Sequence, residues 1–92
     1  ACLPRELRVE YGMLDIGLIT QTICLLAYDR GLGTCIMAAA VVYADLLRDI
    51  AGIPDDRRVV VGVALGYPDE TYPLNHFARP RASWEEFTHW VE

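Results

Sequence analysis

The chain has 92 residues, of which 53% are hydrophobic and 23% charged, and its formal net charge is −5. The apolar content excludes a disordered segment, and the length limits the chain to one small domain or a piece of one. The acidic balance argues against general nucleic-acid binding, which needs a basic face for phosphates. Lysine is absent, so all eight basic side chains are arginines. Any anion site here would use guanidinium forks, which match phosphate oxygens in a bidentate way.

Residues 1–11 mix charge and proline and read as a lead-in without the basic-then-apolar order of a secretory leader. Tyr11 to Tyr28 is nearly all apolar, with Asp15 its single charge. The stretch is long enough to cross a membrane, but an aspartate is costly in lipid and no second span or basic flank follows. The expectation is a helix that is apolar all round and buried in a core or a subunit interface. Ile16, Ile19, Ile23 and Leu26 form one stripe, extended by Leu14, Leu18 and Leu25. Gly31 suits the left-handed residue that ends a helix.

Gly31 to Met37 is too rich in glycine to continue that helix and reads as a turn into a short extended piece. Residues 41–51 restore helical spacing. Val42, Leu46, Leu47 and Ile50 take one side, Asp45, Arg48 and Asp49 the other, and Gly52 and Pro54 stop the element. Arg58 to Gly66 is an unbroken β-branched run, expected as one strand covered on both faces. Gly62 and Gly66 mark places where another group approaches the backbone.

Tyr67 to Pro80 is a long irregular segment with three prolines, of the length at which loops are functional or hug a partner. Ser83 to Glu86 forms a capping box opening a last helix, with Trp84, Phe87, Trp90 and Val91 as its aromatic face. The order is therefore helix, helix, strand, helix. A lone strand cannot build a sheet, so the rest of the sheet is expected from another segment or chain.

Chemistry-bearing residues are few. Cys2, Cys24 and Cys35 contain no CxxC, and neither His76 nor His89 has a second ligand at metal spacing, so no metal site is expected. Free thiols fit a reducing, cytoplasmic setting. Ser83 is the only serine and is committed to a cap, which argues against a serine hydrolase. No phosphate-loop or dinucleotide glycine pattern is present. Arg79 and Arg81 flank Pro80, which favours extended backbone, and residues two apart on extended chain share a face. Both guanidinium groups can then grip one phosphate; the alternative is solvated arginines or pairing with Glu85 and Glu86. Gly31 to Ala40 is the second candidate, its small residues allowing a flat ligand against the backbone or, equally, tight helix packing.

In order, Asp15-x-Gly17, Gln21, Leu25-Leu26-Ala27 and Gly31-Leu32-Gly33-Thr34-Cys35 resemble the central helix and flavin-edge turn of the FMN-dependent nitroreductase family. Gly52-Ile53-Pro54, the stretch Val61 to Pro68, and Asn75-His76-Phe77-Ala78-Arg79-Pro80-Arg81 are similar to its later landmarks. The resemblance implies an α+β fold, an intertwined homodimer and FMN at the dimer interface. It implies electron transfer from NAD(P)H through FMN to a nitroaromatic, quinone or related small-molecule acceptor. By position, Arg79 and Arg81 resemble the pair that holds the FMN phosphate. Ile36, Met37, Ala38 and Ala39 resemble the turn whose backbone lies against the flavin. No catalytic acid or base is implied.

The family's N-terminal arginine-rich segment, early helices and most of its sheet have no counterpart in the sequence. Residues 1–92 are thus expected to form the C-terminal portion of one FMN-binding domain, with the N-terminal half of the fold as partner and no role for nucleic acid or membrane. A non-catalytic helical dimerisation or interaction module is the alternative reading of the apolar helix and the Trp84/Trp90 face.

Overall fold

The computed structural model describes residues 2–4 and 8–92. A short strand β1 (Cys2–Pro4) precedes the long helix α1 (Val9–Asp29), which leads into strand β2 (Gly33–Met37). A 3₁₀ turn (Ala38–Tyr43) runs directly into helix α2 (Ala44–Ala51). Strands β3 (Arg57–Val59) and β4 (Gly62–Gly66) follow, then a 3₁₀ turn (Pro73–Asn75) and the single-turn helix α3 (Trp84–Phe87).

α1 ends as its sequence dictates. Leu32 N–H donates to the Ala27 carbonyl at 2.9 Å and Gly31 N–H to the Tyr28 carbonyl at 3.0 Å, the paired bonds of a Schellman cap. Gly31 (φ 74°) and Gly52 (φ 65°), which ends α2, adopt the left-handed conformation that costs a side-chain-bearing residue about 1–2 kcal/mol. β2 follows the turn at Gly31 and packs on α1.

The strand expectation needs correction. The run from Arg58 to Gly66 is not one strand, and it does not lack partners within the chain. It breaks at Val60-Val61 into β3 and β4, which belong to separate antiparallel ribbons. β3 pairs with β1, Cys2 opposite Val59. β4 pairs with β2, Gly33 opposite Gly66 and Met37 opposite Gly62. β-branched content reports fitness for a strand, not which neighbour the strand finds. The glycine-rich stretch after α1, read only as a short extended piece, is that neighbour. The class is α+β as expected, and each ribbon has two strands and open edges.

Burial is sparse. Among the described residues the apolar core reduces to Ala27 and Val59, with Thr20 and Gly12 also buried. Gly12, Ile16, Thr20 and Ala27 lie on the side of α1 that packs on this chain. Tyr11, Leu14, Leu18 and Leu25 recur at helical spacing on the opposite side and are 58–65% exposed. The expectation of a helix buried all round is therefore not met within the chain. By length and composition α1 could also cross a membrane, and Asp15 sits exposed on it. The radius of gyration is 16.9 Å, against roughly 12 Å for a compact domain of this length. The expected both-sided cover of the valine run is likewise absent: Val59 is buried, Val60, Val61 and Val63 are half-buried, and Leu65 is exposed.

At the C-terminal end the capping box is present. The Ser83 N–H donates to Glu86 Oε1 at 3.2 Å and the Ser83 hydroxyl to the same oxygen at 3.3 Å. The helix it opens is shorter than expected and stops at Phe87. Trp90 lies beyond it and reaches Trp84 edge-on, ring centroids 6.4 Å apart, so the aromatic cluster forms without a continuous helical face.

Candidate functional site

The expected site residues fall into two groups. Ile36 and Met37 end β2, and Ala38 and Ala39 open the 3₁₀ turn that follows it directly. Together with Ala40 and Tyr43 they line one open hollow of about 510 Å³. The lining is almost wholly apolar, and all of it except half-buried Ala40 is exposed. The first amides of such a turn have no carbonyl acceptor within it, so they are free to donate outward. A flat, weakly polar ring system with hydrogen-bond acceptors at its edge matches that combination.

Backbone packing holds the turn in place. Gly62 of β4 lies under it, and a Cβ there would stand 3.1 Å from the Ala40 Cβ and 3.4 Å from Met37 Cε. The expectation of a close approach at Gly62 is thereby met. At Gly66 it is not, since nothing lies within 4 Å of the corresponding Cβ position.

Arg79 and Arg81 form the second group, on the extended segment before Ser83, and both are exposed. The Arg79 guanidinium lies over the Phe77 ring at 5.3 Å from its centroid. Arg81 Nη1 donates to the Pro80 carbonyl at 3.1 Å. Neither makes an ion pair among the described residues; the pairs there join Arg48 to Asp45 and Arg57 to Asp56. The alternative pairing with Glu85 and Glu86 is not realised, and the Glu86 carboxylate is already occupied by Ser83. Two uncompensated guanidinium groups within three residues, on a chain of net charge −5, are a local anion-seeking pair. The single turn of α3 is too short to add an appreciable dipole.

The arginine pair does not line the hollow at Ile36–Ala40, so within this chain the two groups remain separate features. The donor chemistry fits a flavin mononucleotide part by part: guanidinium forks for a phosphate, and free amides over an apolar wall for the ring.

The loop between the groups is internally organised, which sequence reading missed. Asp69 Oδ1 accepts from the Thr71 N–H at 2.9 Å and the Thr71 hydroxyl at 2.7 Å, and Asn75 Nδ2 donates to the Asp69 carbonyl at 2.6 Å. His76 bonds the Glu70 carbonyl through Nε2. The Asp-x-Thr spacing was a legible signal for this turn. The Thr71 hydroxyl, and secondarily the Thr71 and Tyr72 amides, hold the Asp69 carboxyl below its ordinary pKa. Among the described residues no group of His, Cys, Asp or Glu could hold a metal ion.

A family model described as the nitroreductase family matches residues 4–67, and the chain belongs to that family. It is 37% identical over 82 residues to a 4-nitrobenzoate reductase of Pseudomonas putida, a match that covers 89% of this chain and 36% of the relative. Its fold is similar to an FMN- and NADPH-dependent nitroreductase, NfnB, of Sphigopyxis sp. strain HMH. There the TM-score is 0.91 and the identity 27%, with 99% of this chain and 40% of that one covered. The FMN-dependent NfnB of Mycobacterium smegmatis, solved in complex with NADPH, matches with TM-score 0.89 and 28% identity over the same shares. The chain thus spans well under half the length of these relatives.

Proposed function

We propose that this chain is the C-terminal portion of one FMN-binding nitroreductase domain that reduces nitroaromatic, quinone or similar acceptors with NAD(P)H. The observation that carries the proposal is the pairing of family membership with a donor set suited to FMN. Arg79 and Arg81 hold the phosphate. The backbone of Ile36, Met37, Ala38 and Ala39 lies against the flavin ring and offers it N–H donors. Bound there, FMN would supply the two-electron redox chemistry that links NAD(P)H to the acceptor in a ping-pong cycle. The protein's share is position, electrostatics and exclusion of water.

The rest of the site comes from elsewhere. The two groups of site residues do not meet in this chain, the ribbons have open edges, and the outer face of α1 is exposed. A preceding N-terminal half of the fold and a second protomer supply the missing cover and phosphate contacts, in a cytoplasmic homodimer. The same apolar face would serve a non-catalytic interaction module, but that reading leaves the arginine pair without a role.

FMN titration tests the proposal. The full polypeptide carrying this segment is stripped of flavin, titrated with FMN by fluorescence quenching, and passed through a desalting column. Saturable quenching and retained yellow colour are expected. A colourless eluate with no saturable quenching would sink the flavin reading.

A further inference from the structure

We propose that Gly62 is a positioning residue for the redox step, because its missing side chain sets the height of the Met37–Ala40 turn above the β2–β4 ribbon. The inference rests on the flavin reading above and adds to it a residue that would touch neither cofactor nor substrate.

Gly62 is the first residue of β4 and pairs with Met37, the last residue of β2. The 3₁₀ turn that begins at Ala38 packs on β4 at this end of the ribbon. Any side chain at position 62 meets two atoms of different mobility. Met37 Cε, at 3.4 Å, ends a flexible chain and can swing aside. The Ala40 Cβ, at 3.1 Å, cannot move without its backbone. An added methyl group therefore lifts the turn itself by a few tenths of an ångström, and with it the amides of Ala38 and Ala39. Hydrogen bonds weaken with distance and angle, and reacting groups tolerate little misplacement. Gly62 thus lets the turn sit low enough for its amides to meet the edge of a ring lying in the hollow.

The contact suggests its own reciprocal control. Ala40→Gly deletes the carbon that a new side chain at 62 would strike, so the pair should be coupled, each change harmful or neutral alone and compensating together. The test uses the full, FMN-loaded protein as wild type, Gly62→Ala, Ala40→Gly and the double variant. Three readouts are compared: the FMN dissociation constant, the visible absorption band of the bound flavin, and the single-turnover rate at which NADPH bleaches it.

Gly62→Ala is expected to keep FMN affinity within about twofold, shift the absorption band, and slow bleaching roughly tenfold. The double variant is expected to restore band and rate. Gly62→Ala with the wild-type band and rate would overturn the inference, as would a double variant no better than the single one. If Gly62→Ala does not fold, the double variant decides alone: a wild-type band and rate support the role, and an altered pair refutes it. A wild type that binds no FMN overturns the flavin reading instead, an outcome visible before any variant is made.

Discussion

Arg48 of α2 and Arg57 of β3 are joined by a hydrogen bond from Arg48 Nη2 to the Arg57 carbonyl, at 3.2 Å. The same guanidinium donates through Nη1 to Asp45 at 2.8 Å, and its side chain is only 13% exposed. One arginine side chain thus binds the backbone of another, and that bond ties α2 to the β1–β3 ribbon.

The two bonds of Arg48 are unequal. Arg48→Ala removes both bonds of a side chain that is largely buried and is expected to destabilise the protein by about 1.5–3 kcal/mol, the scale of a charged hydrogen bond. Asp45→Ala breaks an exposed ion pair, expected to be worth less than about 1 kcal/mol. Urea denaturation of the two variants measures the difference. Equal losses would mean that the Arg57 bond contributes nothing beyond the surface pair.

Arg81→Ala is expected to weaken FMN binding by about 1.5–3 kcal/mol, or roughly 10- to 150-fold. Arg81→Lys keeps the charge but loses the fork, so it should fall between. Phe77→Leu removes the ring under Arg79 and should cost about 0.5–1 kcal/mol of the same affinity. Fluorescence titration measures all three, and affinity unchanged in Arg81→Ala removes the phosphate assignment.

The outer face of α1 gives a test of assembly. Leu18 and Leu25, 60% exposed each, should be covered in the assembled protein. Leu18→Glu and Leu25→Glu place a carboxylate in that contact and are expected to shift a dimer to monomer in sedimentation velocity. Wild-type sedimentation in both variants would place the interface elsewhere.

The Asp69 turn predicts an acid response. Its carboxyl pKa is lower folded than unfolded, chiefly through the Thr71 hydroxyl. Its contribution is therefore present above the ordinary carboxylate pKa and lost as pH falls through the depressed folded value. The Thr71 amide resonance should follow that protonation, and Thr71→Val should raise the Asp69 pKa. A Thr71 amide insensitive to acid would contradict the bond.

Much of this protein was legible in local chemistry. The end of α1 at Gly31, the stop of α2 at Gly52 and the Ser83–Glu86 box each follow from bonds spanning a few residues, so neighbouring residues suffice to predict them. Arg79 and Arg81 stood out because Pro80 keeps their backbone extended and no lysine competes for their role. Asp69 and Thr71 carried an equally local signal that went unread. The pairing of Gly33–Met37 with Gly62–Gly66 was not legible, because strand preference does not name a partner and the two segments lie about thirty residues apart.

By itself the sequence determined the class of the fold, the glycine stops of α1 and α2 and the chemistry of its arginines, since short-range bonds, periodicity and charge set these. Tertiary structure alone decided that the valine run splits between two ribbons and that the turn at Ala38–Ala40 rests on Gly62. It also decided that the α1 face bearing Leu18 and Leu25 turns away from the chain. These are matters of which distant surfaces meet, and packing over the whole molecule chooses among several partners that the local pattern permits equally.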